Sequence, residues 1–121
     1  MAWFDVYDKD LVEALADLLD PMEPMEELFV QIEGFPNYVV SNYGRVINCV
    51  RNYDIQPSCN SVKHMKVNLY SNGIRYTKQV HQLVAQAFFV NWELGLEVLH
   101  ISGDYNDNSV RNLELGTYVW Q

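Results

Sequence analysis

The stretch V-L-H-I-S-G-D-Y-N-D-N-S-V-R-N-L-E-L-G-T occupies residues 98–117 and contains the most distinctive pattern in the chain. Residues 98–101 are apolar enough for a short strand, and residues 102–108 are rich in the Ser, Gly, Asp and Asn typical of loops. Residues 113–115 fit a short returning strand. The pattern therefore predicts a hairpin with a long polar loop, and His100 lies near the end of its first strand.

Residues 81–90, just upstream, have the periodicity of a helix. Its predicted inward face consists of Leu83, Val84, Ala87 and Phe88. Before it, residues 62–70 and 74–80 alternate apolar and polar side chains on either side of Ser71-Asn72-Gly73. Asn-Gly between two alternating runs is the strongest local signal for a β-hairpin, so we predict one here.

The outer face of that hairpin is predicted to carry basic and aromatic side chains. These are Lys66, Tyr70, Arg75 and Lys78. Such a face suits a phosphate backbone, and it equally suits a solvated sheet surface. Further upstream, residues 28–32, 38–41 and 45–50 predict strands, and Asn42-Tyr43-Gly44 predicts a turn.

Residues 9–19 predict an amphipathic helix that Pro21 and Pro24 prevent from continuing. Its apolar stripe is expected to pack on the body of the protein or on a partner. Residues 1–27 have a net charge of −8, whereas residues 44–78 have +5. The acidic side chains of this extension are Asp5, Asp8, Asp10, Glu13, Asp17, Asp20, Glu23, Glu26 and Glu27.

The composition favours one compact domain, because 49% of the 121 residues are hydrophobic and 13% are aromatic. The overall charge of −8 argues against non-specific attraction to nucleic acid. No apolar run is long enough to span a bilayer, and no signal peptide opens the chain, so we expect a cytoplasmic protein. Cys49 and Cys59 are expected to be reduced thiols; a metal site that they share with His64 is the weaker interpretation.

Residues 80–89 and 98–117 resemble the HNH endonucleases of phage and intron homing elements. The upstream sequence I-E-G-F-P-N-Y-V-V-S-N-Y-G-R-V, residues 32–46, is similar to the DNA-binding module that commonly precedes that nuclease. The resemblance implies a ββα-metal site in which His100 is the general base and Asn112 orients it. It also implies that Asp104 and Asn108 shape the loop, and that His81 makes a structural hydrogen bond or contacts DNA.

The metal ligands of the family are not matched. Leu99 stands where the resemblance implies a ligand, and Ser102 replaces an acid of the family loop. The second ligand position falls at Gln121, the last residue of this sequence. Phosphodiester hydrolysis needs a base and a hard cation held by oxygen ligands. We therefore expect no ordered metal and no cofactor, although Asp104 or Asp107 remains an alternative ligand.

These observations lead to an α+β fold: a small antiparallel sheet module, a truncated ββα-metal hairpin and an added N-terminal acidic helix. The expected divisions are an acidic extension (1–27), a β-rich module (28–79) and an HNH-like region (80–121). Candidate DNA contacts are Arg45, Lys63, Lys66, Arg75 and Lys78.

Three functional hypotheses follow. The leading hypothesis is an inactive, phage-encoded inhibitor of a host nucleic-acid enzyme or defence system, of the anti-restriction or anti-CRISPR type. Its nine acids would mimic DNA and bind a basic surface of a host protein. The alternative is a DNA-binding, Mg²⁺-dependent homing (nicking) endonuclease. The acidic extension could also mask the basic hairpin in cis, and a DNA-binding remnant without catalysis stays open.

Overall fold

The structure is a computed structural model that describes residues 6–7, 26–58 and 64–118. The helix predicted over residues 9–19 lies outside the described residues, as does the second ligand position at Gln121. The same holds for Cys59, for Lys63 and for the acids Asp5, Asp8, Asp10, Glu13, Asp17, Asp20 and Glu23.

The upstream module forms a sheet of five strands in the order in which they follow one another in the sequence. Its first two strands are parallel, and the other neighbouring pairs are antiparallel. The strands are β1 (Val6–Tyr7), β2 (Phe29–Ile32), β3 (Phe35–Ser41), β4 (Val46–Asn48) and β5 (Tyr53–Ile55). The sequence predicted strands at β2, β3 and β4 and missed β1 and β5.

The predicted hairpin is confirmed as β6 (Lys66–Ser71) paired with β7 (Ile74–Gln79). Asn72 and Gly73 form its turn, with φ angles of 54° and 77°. Both values lie in the left-handed region that a two-residue hairpin turn requires and that Asn and Gly adopt most readily.

Helix α1 (Val80–Phe88) follows the hairpin directly. All of the side chains predicted to face inward are buried. After it come β8 (Leu96–His100), a 3₁₀ turn (Val110–Asn112) and β9 (Leu113–Tyr118), which pairs antiparallel with β8. Within the described part of the chain, no helix is long and apolar enough to cross a membrane.

One hydrophobic core joins the three sheets and the helix. Val40, Leu69, Val80 and Val84, which come from the upstream sheet, the hairpin and the helix, are completely buried in it. Val98 and Leu113 extend the core to the β8–β9 pair. The α+β fold with small antiparallel sheets is therefore confirmed, and the shared core fixes the position of His100 relative to the upstream module.

Candidate active site

His100, the last residue of β8, is held by Asn108 from the loop that follows. Its ring Nε2 lies 2.7 Å from the side-chain Oδ1 of Asn108. An amide oxygen only accepts hydrogen bonds, so Nε2 is the donor, and in the neutral ring Nδ1 then has the lone pair. Nδ1 is buried and has no hydrogen-bond partner among the described residues. This arrangement leaves a proton acceptor at Nδ1.

Asn112 has a different role from the one the sequence suggested. Its Oδ1 accepts a hydrogen bond of 3.0 Å from the backbone N–H of Ser102, and its Nδ2 donates one of 2.9 Å to the backbone oxygen of Asp107. Asn112 therefore ties together the two ends of the polar loop. The structure exchanges the roles predicted for the two asparagines, because Asn108, not Asn112, contacts the imidazole.

Three histidines and a tyrosine cluster at this site. The ring centroid of His81 lies 4.5 Å from that of His64 and 5.1 Å from that of His100. The Tyr105 ring stands edge-on to His100, with centroids 5.1 Å apart. Burial, and then the nearby His64 and His100, lowers the pKa of His81 to about 4. His81 is consequently neutral at neutral pH.

The sequence analysis did not place His64 at this site. Lys66 pairs with Gln79 in the hairpin, and the backbone N–H of Val80 donates to the oxygen of Met65 at 2.9 Å. Continuing this register by one residue brings His64 beside His81. The Asn-Gly turn sets the register of the whole hairpin, and this register predicts that His64 lies beside His81.

The described residues around His100 do not form a fitting set of metal ligands. Leu99 has an aliphatic side chain. Asp104 Oδ1 accepts the backbone N–H of Asn106 at 3.0 Å, and Asp107 Oδ1 accepts that of Ser109 at 3.2 Å, so both carboxylates cap turns of the loop. Across the described ranges, no group of three or more His, Cys, Asp and Glu side chains is arranged to hold a metal ion.

The basic residues of the hairpin lie on two different faces. Lys66, Tyr70 and Arg75 share the outer face, where Tyr70 is 52% exposed. Lys78 pairs with the buried Val67 and therefore lies on the opposite face. Its Nζ lies 5.7 Å from the centre of the Phe35 ring. The prediction that all four side chains share one face is thus wrong for Lys78.

Arg45 is bound by two carboxylates of the protein itself. Its Nη1 donates to Glu27 at 2.7 Å and its Nη2 to Asp54 at 3.0 Å. Burial alone would lower the pKa of Arg45, but the bonds to Asp54 and Glu27 outweigh burial and raise it. Ser41 also donates to Glu27 at 2.8 Å. Arg45, a candidate DNA contact, and Glu27, a candidate partner contact, thus form an ion pair with each other, and both contacts stay predictions.

Comparison with known proteins gives two matching family models, which together cover most of the described chain. The HNH endonuclease model matches residues 78–118, and the NUMOD4 motif matches residues 27–79. Two adjoining segments of the chain therefore match a NUMOD4 motif and an HNH endonuclease model in that order, and the resemblance to HNH homing endonucleases is confirmed.

Two particular proteins are similar to it. An uncharacterized HNH endonuclease, L247 of Acanthamoeba polyphaga mimivirus, is 33% identical over 87 residues, which is 71% of this chain and 22% of that protein. A structure described as DNA binding and cleavage by the HNH homing endonuclease I-HmuI matches with a TM-score of 0.71 and 32% identity. The match covers 77% of this chain and 53% of that one.

This chain thus spans about a fifth of the mimivirus protein and about half of the I-HmuI chain. Neither protein is described as an inhibitor. The comparisons support the nuclease alternative better than the inhibitor hypothesis, which stays a prediction.

Proposed function

We propose that this chain is a DNA-binding HNH nuclease domain in which His100 accepts the proton of the water that attacks a phosphodiester. The observation that carries the proposal is the hydrogen bond from His100 Nε2 to Asn108 Oδ1. This bond favours the neutral ring with its proton on Nε2 and its lone pair on Nδ1, which is the state that a general base requires.

The surroundings of His100 favour this role. When Nδ1 takes up a proton, positive charge spreads over the ring, and the Asn108 oxygen stabilises that charge at Nε2. His81 stays neutral because its pKa is lowered to about 4. His81 therefore places no positive charge beside His100 at neutral pH.

DNA contact is assigned to the outer face of the hairpin. Lys66 and Arg75 supply positive charge there, and Tyr70 supplies an exposed aromatic ring. Lys66 follows His64 by two residues in the sequence, so the face begins close to the histidine cluster. If Lys66 and Arg75 each contact one phosphate, a plot of the logarithm of the DNA-binding constant against the logarithm of the salt concentration should have a slope of about −2.

HNH nucleases typically depend on a metal ion, Mg²⁺ in the alternative that the sequence raised. The described side chains near His100 do not fit such an ion, because Leu99 has no donor atom and Asp104 and Asp107 bond the loop backbone.

The test is nicking of a supercoiled plasmid by the full chain, with Mg²⁺, Mn²⁺ or a chelator in parallel reactions. Wild-type protein is expected to nick the plasmid in at least one condition. His100→Ala, purified identically, should nick about 100-fold more slowly or worse, since a general base typically contributes 10²–10⁴-fold. Equal rates for the two proteins, or no nicking by the wild type, would overturn the proposal.

A further inference from the structure

We propose that the turn of residues 41–45 in the upstream module positions His100, with Gly44 as the positioning residue. This inference rests on the proposed function, because it concerns the orientation of the general base. The turn lies in the segment that the NUMOD4 model matches, and His100 lies in the segment that the HNH endonuclease model matches. The structure brings these segments into direct contact at Asn108.

The contact depends on a glycine. Gly44 has φ +88°, and a Cβ added there would lie 3.0 Å from both the Cβ and the backbone oxygen of Asn108. Real Cβ atoms are seldom found at so short a distance, so any side chain at position 44 has to push Asn108 away. Asn108 is only 6% exposed, which leaves it little room to move.

The turn itself is held firmly from two sides. The side chain of Asn42 accepts the backbone N–H of Leu28 at 2.8 Å and donates to the backbone oxygen of Glu26 at 2.9 Å. On the other side, the backbone oxygen of Asn42 accepts the N–H of Val110 at 2.8 Å. These bonds fix the turn to the chain before β2 and to the 3₁₀ turn after the loop.

Asn108 therefore lies between a fixed turn and the ring that it orients. A side chain at position 44 would displace Asn108 and lengthen its 2.7 Å bond to His100 Nε2. Without that bond, nothing in the described site forces the proton onto Nε2, and the ring would populate both neutral tautomers. The upstream module thus acts on the orientation of the general base.

The experiment compares three alanine variants of the full chain. In Gly44→Ala the new Cβ would contact Asn108. In Gly34→Ala and Gly73→Ala, at φ +84° and +77°, the new Cβ would have no neighbouring atom within 4 Å. All three carry a similar backbone strain, so the two controls isolate the contact. Nitrogen NMR of ¹⁵N-labelled histidine reports which His100 nitrogen carries the proton, and plasmid nicking reports the rate.

We expect Gly44→Ala to replace the single Nε2–H form with a mixture. It should slow nicking by less than the roughly 100-fold that a 1 Å misplacement can cause, because Asn108 has to move by only a few tenths of an ångström. The two control variants should keep the Nε2–H form, and Gly34→Ala should also keep the wild-type rate. A Gly44→Ala protein that folds and keeps the single Nε2–H form would overturn the inference.

A second variant covers the case in which Gly44→Ala does not fold. Val110→Pro removes the N–H that binds Asn42 and adds nothing next to Gly44. Ser109 is already extended (φ −68°, ψ 148°), as the residue before a proline must be, and proline suits the first position of a helical turn. Val110→Pro should also give a mixture of His100 tautomers. A retained Nε2–H form would contradict the inference that the turn of residues 41–45 positions His100.

The failure of this inference can be told apart from failure of the proposed function. The tautomer of His100 is measured without DNA and without turnover. A wild-type protein that does not nick DNA would overturn the nuclease proposal and leave the tautomer comparison to decide whether Gly44 positions His100.

Discussion

Asn108 and His100 are joined by a 2.7 Å hydrogen bond between the amide oxygen and the imidazole Nε2, although they are separated by eight positions in the sequence. The loop between them folds back because Asn112 binds its backbone at Ser102 and Asp107. Asn112 therefore shapes the loop, and Asn108 contacts the imidazole of His100. Substitutions of the two should have different consequences.

Asn112→Ala should lower the free energy of unfolding by about 2 kcal/mol, because it leaves the N–H of Ser102 and the carbonyl of Asp107 without their partner. Asn108→Ala should instead change the tautomer of His100. Urea unfolding measures the first effect and histidine nitrogen NMR the second. An Asn112→Ala protein of wild-type stability would contradict this division of roles.

Arg75→Glu should weaken DNA binding more than Lys78→Glu does, although both substitutions change the net charge by the same amount. Arg75 lies on the outer face of the hairpin, and Lys78 lies against Phe35 on the other. Fluorescence anisotropy at several salt concentrations should show the salt slope shrinking by about 1 for Arg75→Glu. Equal losses in both variants would mean that long-range charge, and not the outer face, governs binding.

Arg45→Gln should reduce stability and leave DNA affinity close to that of the wild type. Its bonds to Glu27 and Asp54 are partly exposed, so we expect a loss of about 1 kcal/mol, smaller at high salt. Thermal unfolding at two salt concentrations checks the stability, and the anisotropy assay checks binding. A large loss of DNA affinity with unchanged stability would indicate that Arg45 contacts DNA.

His81 should make the protein less stable as the pH falls from about 6.5 towards 4. Burial lowers its pKa in the folded chain from 6.5 to about 4, so between these values the unfolded chain binds more protons. The full contribution is present above pH 6.5, and up to about 3 kcal/mol is lost by pH 4, at about 1.4 kcal/mol per pKa unit.

The carboxyl groups titrate in the same range, so the useful quantity is the difference between wild type and His81→Gln. Urea unfolding from pH 7 to pH 4 should show the wild type losing more stability than the variant. Parallel curves for the two proteins would show that His81 is not held neutral by the fold.

Much of the fold could be predicted because its signals are local. The Asn72-Gly73 turn and the alternation on either side of it predicted the hairpin, and the helix was predicted from its apolar period. Strands β1 and β5 could not be found this way. β1 has two residues and pairs with β2, which lies far away in the sequence, and β5 is a short strand at the sheet edge whose first two residues, Tyr53 and Asp54, are exposed.

The site was harder to predict because it depends on register and on the path of the loop. Ser71 pairs with Ile74, and this register places Lys78 opposite Val67 and away from Lys66. Which asparagine reaches His100 depends on how the loop folds, and sequence spacing alone does not specify this. The position of His100 at the end of the first strand was predicted correctly, its contact with Asn108 was not, and its role as a base stays a prediction.

Nitrogen NMR of the wild-type protein, labelled at its histidines and held near neutral pH, tests the assignment on which the proposed chemistry depends. We predict a single His100 tautomer with the proton on Nε2 and the lone pair on Nδ1. A proton on Nδ1 would contradict the account, because the acceptor would then be Nε2, the atom that faces Asn108.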